Sequence, residues 1–405
     1  MTVEQVVPAT GRVELEQVLA ELTAPGPRSA PFNDEIVTFC ADFSRRIFRD
    51  EQAGKYPELQ ALAFWMRKAE LTRLAAEFGQ LRKTGAALAP RGLVFHVPPA
   101  NVDTIFIYSW LVSALTGNRN IIRLSLRTAE QTAIICRIFN EAMASAPANL
   151  RRNTVMLRYG HEREITEKIS ARVDVRILWG SDASVSALRS VPLPPYAKEL
   201  TFPDRYSLAA IRAARYLEAD AARRKQLAAD FFNDVFWFDQ MACSSPRLLV
   251  WVGGEREANT ASLDFLKLVQ AHAQQRAYSV PPQIRLNRFS FACRAVLDER
   301  ASGYRDLGEF VLLDVNPARD FDREHCGGGL LFQTRFDALA EMEPFISRRD
   351  QTMTYFGFET AELADFAARL NGLDRIVPVG QALNFNRFWD GYDLLQELIR
   401  HVSIG

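Results

Sequence analysis

The stretch "GLVFHVPPANVDTIFIYSWLVSALTGNRNIIRLS", from Gly92 to Ser125, decides the fold. Its first apolar run, "GLVFHV", predicts a buried strand that ends at a turn containing two prolines. Asp103–Thr116 is mainly apolar, which predicts a buried helix, and "NIIRLSL" predicts the next strand. A strand, a helix and a second strand in this order indicate a right-handed βαβ unit in a parallel sheet.

The alternation of strands and helices continues toward the C-terminus. Further strands of the first sheet are predicted at "NTVMLRYG", "DVRILWG" and "KELTF". The pattern then restarts, and a second set of strands is predicted at "YSLAAI", "RLLVWVG", "FVLLDVN", "GGLLFQT" and "TMTYFGF". Before Arg91, apolar residues recur at helical spacing, so this part is predicted to be mainly helical. The chain therefore belongs to the α/β class, with two parallel sheets.

Composition restricts the possible partners. The 405 residues include 49 Lys and Arg against 49 Asp and Glu, so no net charge attracts nucleic acid or an anionic membrane. The most apolar segment, "TIFIYSWLVSAL", is shorter than the about 20 residues that a membrane span requires. The N-terminus lacks the pattern of a signal peptide. We therefore expect a cytoplasmic protein without a membrane span or a nucleic-acid partner.

Five cysteines are spread along the chain without CxxC pairs or zinc-finger spacing, so we expect neither a metal site nor a disulfide framework. They are Cys40, Cys136, Cys243, Cys293 and Cys326. A thiol of this kind usually behaves as a small apolar residue. Cys243, in "FDQMACSSPR", differs in position, because it lies among small residues between a predicted helix and a predicted strand. A thiolate in such a loop is suited to thioester chemistry.

Three other motifs contain candidate binding or catalytic residues. Asn101, in "FHVPPANVDT", is either an ordinary helix cap or an amide donor to a developing oxyanion, and Asp103 could serve as the cap instead. Arg123 and Arg127 are either solvated surface charges or a site for phosphate or ribose. In "ILWGSD" a strand ends at a Gly-Ser turn before a helix, which allows an anion to approach the backbone. No GxGxxG motif accompanies it.

In this order, these motifs resemble the aldehyde dehydrogenase superfamily, and within it the long-chain fatty-acyl-CoA reductases of bacterial luminescence systems. The resemblance runs from about Gly92 to the C-terminus. It is carried by the opening stretch, "ILWGSD", "DQMACSSPR", "ISRRDQTMTYFG" and "DRIVPVGQALNFNRFWDGYDLL". It implies two Rossmann-type parallel-sheet domains with an active-site crevice between them.

The resemblance also assigns the segments of the chain. Residues 1–90 would form a mainly helical N-terminal part of the cofactor domain, and 91–205 the dinucleotide-binding domain. Residues 206–378 would form the catalytic domain that carries the cysteine. Residues 379–405 would dock back as a C-terminal segment. Because superfamily members form dimers, a homo-oligomer is expected.

The mechanism that the resemblance implies begins at Cys243. Its thiolate would attack an acyl thioester and release CoA, and the acyl-enzyme would accept a hydride and leave as an aldehyde. Asn101 and the backbone N–H of Cys243 would form the oxyanion hole. Glu199, in "KELTFPDRY", stands near the place of the glutamate that activates water in the "LELGGK" stretch of aldehyde dehydrogenases. The glycines of that stretch are absent here, and a reductase does not need water to release its product.

The cofactor implied by the resemblance is NADPH, bound by Arg123, Ser125, Arg127, Gly180 and Ser181. Relatives carry a lysine and, three residues later, a glutamate that binds the ribose hydroxyls. Here Arg123 and Leu126 occupy these places, and two arginines without that carboxylate favour a 2′-phosphate.

The partners implied are a fatty acyl-CoA or an acyl-protein donor, together with acyl-protein synthetase and transferase subunits. Two other functions fit the same residues. One is a cysteine acyltransferase or thioesterase without hydride transfer, and the other is a non-catalytic partner subunit. Consumption of NADPH together with acylation of the protein distinguishes the reductase from both.

Overall fold

The computed structural model describes residues 1–26, 28–81, 86–99, 102–127, 129–316 and 321–404. The chain forms two compact units. Unit 1 consists of Met1–Pro203 and Phe385–Gly405, and unit 2 consists of Asp204–Asn384. Each unit contains one seven-stranded sheet. No helix within the described ranges is long and apolar enough to cross a membrane.

The first part of unit 1 alternates strands and helices. Its strands are β1 (Thr2–Val7), β2 (Gly11–Glu14), β3 (Ala86–Pro90), β4 (Leu93–Val97), β5 (Arg119–Leu124), β6 (Thr154–Arg158), β7 (Val175–Trp179) and β8 (Lys198–Phe202). Its helices are α1 (Leu15–Thr23), α2 (Asp34–Arg49), α3 (Pro57–Trp65), α4 (Lys68–Gly79), α5 (Ile105–Leu115), α6 (Glu130–Ala144), α7 (Ala148–Arg152), α8 (Arg163–Ser170) and α9 (Asp182–Arg189).

The main sheet of unit 1 has the strand order β2-β1-β6-β5-β4-β7-β8. Strands β4 to β8 are parallel, while β1 and β2 add an antiparallel edge that the mainly helical prediction did not include. The chain passes from β4 to β5 and β6 on one side, then returns to β7 and β8 on the other. The direction of winding therefore reverses between β4 and β7, and open α/β sheets bind ligands at the carboxyl ends of the strands at such a point.

Unit 2 repeats this architecture. Its strands are β9 (Tyr206–Arg212), β10 (Leu248–Val252), β11 (Gly303–Asp306), β12 (Val311–Asp314), β13 (Leu330–Phe336), β14 (Asp350–Phe356) and β15 (Arg375–Pro378). Its helices are α10 (Ala213–Glu218), α11 (Ala221–Phe236), α12 (Glu255–Gln275), α13 (Pro282–Leu297) and α14 (Thr360–Ala367). The strand order is β11-β12-β13-β10-β9-β14-β15, and only β11 is antiparallel.

The C-terminal segment returns to unit 1. It contains β16 (Phe388–Trp389), β17 (Tyr392–Asp393), α15 (Leu394–Glu397) and β18 (Ile399–Ser403). Strand β18 pairs antiparallel with β3 in a separate two-stranded sheet. The Tyr108 hydroxyl donates a hydrogen bond of 2.6 Å to the backbone oxygen of Asn386, so the segment is fastened to α5. The fold predicted from the sequence, α/β with two parallel sheets, is confirmed.

A buried carboxyl group fastens the segment after β15 to α11 within unit 2. Asp234 is 1% exposed and accepts hydrogen bonds from the backbone N–H groups of Gly380, at 2.6 Å, and Ala382, at 2.9 Å. Desolvation by burial raises the pKa of Asp234 to about 7 despite these two bonds. The charged form of this side chain is therefore disfavoured in the folded state.

This buried carboxyl group predicts a pH dependence of stability. An unfolded aspartate titrates near a pKa of about 3.9, so the folded state binds more protons between this value and the folded pKa, and its stability falls as pH rises through that window. We expect the urea midpoint of the wild-type protein to fall relative to that of Asp234→Asn between pH 5 and pH 8. Parallel pH profiles of the two midpoints would contradict the assignment.

Candidate active site

Cys243 lies in the connection between α11 and β10, as predicted, and its side chain is half-buried. The Gln351 amide nitrogen, at the start of β14, approaches the Cys243 sulfur at 3.5 Å. The Ser207 hydroxyl, at the start of β9, donates a hydrogen bond of 2.7 Å to the Cys243 backbone oxygen. The thiol is therefore held at the edge where the amino ends of three parallel strands, β9, β10 and β14, meet.

The backbone before Cys243 is fixed by a glycine turn. Gly328 N–H donates to the Asp239 oxygen at 2.8 Å, and Gly329 N–H donates to the buried Gln240 side chain at 3.1 Å. Gly327 to Gly329 all have positive φ, and a Cβ on Gly328 would lie 2.2 Å from a side-chain carbon of Ile284. Only glycine fits this turn at so close an approach. The glycines of "HCGGG", residues 325–329, thus support the cysteine segment.

Arg247 ends the cysteine segment and is 2% exposed. Its guanidinium donates hydrogen bonds to the backbone oxygens of Arg205, at 2.8 Å, and Ala242, at 3.2 Å. The neighbouring imidazole of His325 is kept neutral, because burial, together with the charge of Arg247, lowers the pKa of His325 to about 3. Arg247 is also the basic residue closest to Cys243 in the sequence.

In unit 1, the turns that follow β4 and β7 flank the reversal point of the sheet. Asn101, the predicted oxyanion donor after β4, lies outside the described residues. Asp103, considered as an alternative cap for α5, instead accepts a hydrogen bond of 2.6 Å from Thr132 on α6. The N-cap residue of α5 is Thr104, and its side chain makes no capping bond. The Asp103 carboxylate therefore connects the turn to α6 rather than capping α5.

Gly180 and Ser181 form the turn that follows β7. Gly180 has a φ of +153°, and its N–H donates to the Phe202 oxygen at 3.1 Å, which keeps this turn close to the end of β8. The Ser181 hydroxyl accepts a hydrogen bond of 3.3 Å from the Ser184 N–H and so caps α9. The turn presents a glycine backbone and a helix N-terminus at the reversal point, which suits an anionic ligand.

The other cofactor candidates lie at the end of β5. Arg123 donates to the Gly160 oxygen and lies 5.1 Å from the ring centroid of Tyr159. The Ser125 hydroxyl accepts a hydrogen bond of 3.1 Å from the Arg127 N–H. The Arg127 side chain is exposed and has neither a hydrogen bond nor an ion pair within the described ranges. Arg127 is thus the arginine with its whole guanidinium available to a ligand.

Glu199 is placed differently from the other candidates of unit 1. It is the second residue of β8 and pairs in register with Arg176 of β7. Its carboxylate accepts a hydrogen bond of 2.7 Å from Arg176, whose side chain is 1% exposed, and one of 3.1 Å from Arg189. Phe202 occupies the carboxyl end of β8, about 10 Å further along the strand. Glu199 therefore lies toward the opposite edge of the sheet from the Gly180 turn.

Some residues of the site were not identified from the sequence. Gln351 and Ser207 contact Cys243, and Arg247 holds the backbone of Ala242 beside it, but no motif marks these three residues as neighbours of a thiol. Glu130 was also missed: it is the first residue of α6, and its carboxylate raises the pKa of the Tyr56 phenol. A carboxylate that follows the second strand of a βαβ series is the signal that could have found it. Among the described residues, no group of three or more His, Cys, Asp and Glu side chains could hold a metal ion.

Comparison with protein families gives a match over the central part of the chain. The family model described as acyl-CoA reductase (LuxC) matches residues 68–286. The long-chain acyl-protein thioester reductase of Photorhabdus laumondii is 22% identical over 327 residues, 78% of this chain. Long-chain acyl-protein thioester reductase 2 of Photobacterium leiognathi is 22% identical over 323 residues. The aligned region spans 64% of the length of each of these relatives.

Comparison with solved structures identifies the fold. An NADP-dependent glyceraldehyde-3-phosphate dehydrogenase from Bacillus halodurans superposes with a TM-score of 0.64 at 14% identity, covering 100% of this chain and 96% of that one. An NAD-dependent benzaldehyde dehydrogenase from Corynebacterium glutamicum has a TM-score of 0.61 at 14% identity, covering 97% and 90%. The predicted aldehyde dehydrogenase fold is therefore confirmed.

The placement of Glu199 predicts that Glu199→Gln affects folding rather than chemistry. The change leaves the buried Arg176 guanidinium without its carboxylate, and we expect the free energy of unfolding to fall by about 1.5–3 kcal/mol, the range for hydrogen bonds to charged groups. Glu164→Gln, which alters an exposed ion pair with Lys168, is the matched control and should change stability little. Unchanged stability combined with slower turnover of an acyl-enzyme would instead indicate a catalytic Glu199.

Proposed function

The chain belongs to the acyl-CoA reductase (LuxC) family, and we propose that it reduces a long-chain acyl thioester to an aldehyde through an acyl-enzyme on Cys243. The observation that carries this proposal is the position of Cys243 in a fixed loop, with an amide donor 3.5 Å from its sulfur. The family match covers residues 68–286, and this range includes both the Cys243 loop and the candidate motifs of unit 1.

We propose that the donor carries its acyl group as a thioester on CoA or on a protein. The family description names acyl-CoA, whereas the relatives from Photorhabdus and Photobacterium are named acyl-protein thioester reductases. The reacting group is the same in both cases, because each donor presents a carbonyl bonded to sulfur. A synthetase or transferase that loads the protein donor, self-association of the chain and a cytoplasmic location are parts of the same proposal.

Acyl transfer requires the thiolate of Cys243. Its sulfur forms a bond to the carbonyl carbon, the carbon–sulfur bond of the donor breaks, and the donor thiolate leaves. The negative charge that develops on the carbonyl oxygen needs hydrogen-bond donors, and we propose Asn101 and the backbone N–H of Cys243 for this role. When bound, NADPH supplies the hydride that converts the acyl group to an aldehyde. The thiolate of Cys243 is regenerated as the aldehyde leaves.

The residues of unit 1 fit a dinucleotide. Gly180 offers a close backbone approach at the reversal point, and the N-terminus of α9 can face a pyrophosphate. The end of β5 is where the adenosine ribose lies in this class of sheet. Two residues there act in opposite directions on a 2′-phosphate, since Arg127 would attract it and Glu130 would repel it. We propose NADPH, because the Arg127 guanidinium is exposed and has no ion-pair partner among the described residues.

The residues at the carboxyl end of β8 favour a reductase over a thioesterase. Hydrolysis of the acyl-enzyme needs a base that activates water, and the carboxyl end of this strand carries Phe202, whose ring stacks on Trp179 at 3.8 Å between centroids. Glu199 is engaged by two arginines near the other end. The arrangement in unit 1 therefore provides no carboxylate on β8 at the edge that holds the Gly180 turn.

Replacement of the thiol tests the nucleophile. We expect Cys243→Ala to abolish both labelling of the protein by radioactive acyl-CoA and oxidation of NADPH, since the proposed acyl intermediate forms on this thiol. Cys326→Ala is the matched control, because Cys326 is also half-buried in unit 2 and burial raises its pKa to about 11. Retained labelling of Cys243→Ala, with loss in Cys326→Ala, would move the nucleophile to Cys326.

Substitutions at the end of β5 test the choice of cofactor. A charge-assisted bond to phosphate contributes roughly 1.5–3 kcal/mol, so Arg127→Ala should weaken NADPH binding by about 10- to 100-fold and NADH binding much less. Arg123→Ala should weaken the binding of both NADPH and NADH, because the Arg123 side chain also donates a hydrogen bond to the Gly160 backbone. Glu130→Gln should strengthen NADPH binding. Arg151→Ala, at an exposed position on α7, is the control and should leave the binding of both cofactors unchanged. Equal losses for NADPH and NADH in Arg127→Ala would exclude its contact with a 2′-phosphate.

A further inference from the structure

Arg247 is a buried cation that forms no ion pair with a carboxylate of the described residues. Its two terminal nitrogens donate only to backbone oxygens, those of Arg205 and Ala242, and its Nε has no hydrogen-bond partner in the described part of the chain. Burial of a guanidinium without a counter-charge is costly, and removal of a charge from water lowers the pKa of Arg247. A site of this kind strongly favours an anion that can form beside it.

The acidic groups that act on the Arg247 charge are Tyr206, Cys243 and Asp204. Tyr206 stays neutral, because complete burial raises the pKa of its phenol far above the physiological range. Asp204 is exposed, so water screens its charge. The Cys243 thiol is the remaining group of the three that can ionise toward the guanidinium.

The other charged groups around this segment are already balanced or neutral. Arg323, which precedes β13, forms an ion pair with the fully buried Asp350 of β14 at 2.8 Å. His325 is neutral, since burial and the charge of Arg247 hold its pKa at about 3. His325 therefore adds no positive charge beside the thiol, and the phenol of Tyr206 on β9 adds no negative charge beside Arg247.

Gln351 provides a second interaction with the sulfur. Its amide nitrogen lies 3.5 Å from the Cys243 sulfur, and the side chain is 3% exposed. The residue before it, Asp350, accepts hydrogen bonds from the backbone N–H of Ser347 at 2.7 Å and from Arg323. The start of β14 is thus fixed, and the amide is held where it can donate to a negatively charged sulfur.

We infer that Arg247 and Gln351 hold Cys243 as a thiolate before the acyl donor arrives. Arg247 is a positioning residue that supplies a fixed positive potential, and Gln351 donates a hydrogen bond to the reacting sulfur. The thiol proton passes to solvent, and no other bond changes. This inference rests on the proposed function, in which the thiolate accepts the acyl group.

The test is the pH dependence of alkylation of Cys243 by iodoacetamide, measured by peptide mass spectrometry without substrate. The background variant is Cys293→Ser, because Cys293 is exposed and would consume reagent. We expect half-maximal alkylation of Cys243 at least about one pH unit below that of free cysteine, whose thiol titrates near 8.5. Arg247→Met and Gln351→Leu should each raise this midpoint by about one unit or more.

Two further variants keep the test decisive. Gln351→Glu should raise the midpoint more than Gln351→Leu, because a carboxylate beside the sulfur opposes its ionisation, and this series stands if Arg247→Met does not fold. Arg224→Met is the control. Arg224, on α11 of unit 2, donates a hydrogen bond of 3.0 Å to Asp264 on α12 and, among the described residues, none to the cysteine segment or to the glycine turn that supports it. It should leave the Cys243 midpoint unchanged.

Two results would overturn the inference: a wild-type midpoint equal to that of free cysteine, or midpoints that do not move in the Gln351 series. Acylation by acyl-CoA is also measured at pH 9, where most thiols ionise without assistance. This measurement distinguishes failure of the thiolate inference from failure of the proposed function. Acylation of Cys243 there with unshifted midpoints would reject the thiolate inference alone. No acylation of the wild-type protein would reject the proposed function, whatever the midpoints are.

Discussion

Both main sheets are covered on both faces, and this constraint determines where polar chemistry can occur in the chain. Every residue of β4, β7 and β10 is buried, and so is every residue of α5. A parallel sheet of this kind offers no polar face to solvent, because helices cover it on each side. Polar side chains and exposed backbone groups can therefore gather only where strands end. The candidate residues of each unit follow this rule, with the exception of Glu199.

The two units use opposite edges of their sheets. In unit 1 the candidates Gly180, Ser125 and Arg127 follow the carboxyl ends of β7 and β5, as expected for a dinucleotide-binding sheet. In unit 2 the Cys243 loop lies at the amino ends of β9, β10 and β14, where Ser207 and Gln351 hold it. A carboxyl edge suits the binding of phosphate groups through helix N-termini. The amino edge of unit 2 instead collects the side chains that we propose stabilise the Cys243 thiolate.

The sequence was sufficient for the fold and for the position of the thiol, because both depend on local patterns. Alternating apolar strands and helices predicted the two parallel sheets, and the small residues around Cys243 marked its loop. The strands β1 and β2 were missed, since only Val3 and Val7 of β1 are buried and so short an alternation is not distinctive. The contacts of Gln351, more than one hundred residues from Cys243 in the chain, depend on the pairing of β14 with β9. Single-sequence patterns do not encode such pairing. Glu199 was selected by its neighbours in the sequence, whereas the register of β8 with β7 decides its partners.

A single-turnover experiment tests the central claim that the acyl group passes through Cys243 to an aldehyde. The protein is first loaded with a long-chain acyl-CoA in the absence of cofactor, and the excess donor is removed. Intact-protein and peptide mass spectrometry then establish whether one acyl group is bound, and where. NADPH is added, and both the aldehyde and the acyl mass are followed with time. We expect one acyl group on Cys243, which is lost as one aldehyde appears for each NADPH oxidised. Loss of that acyl group as free fatty acid, with no oxidation of NADPH, would contradict it.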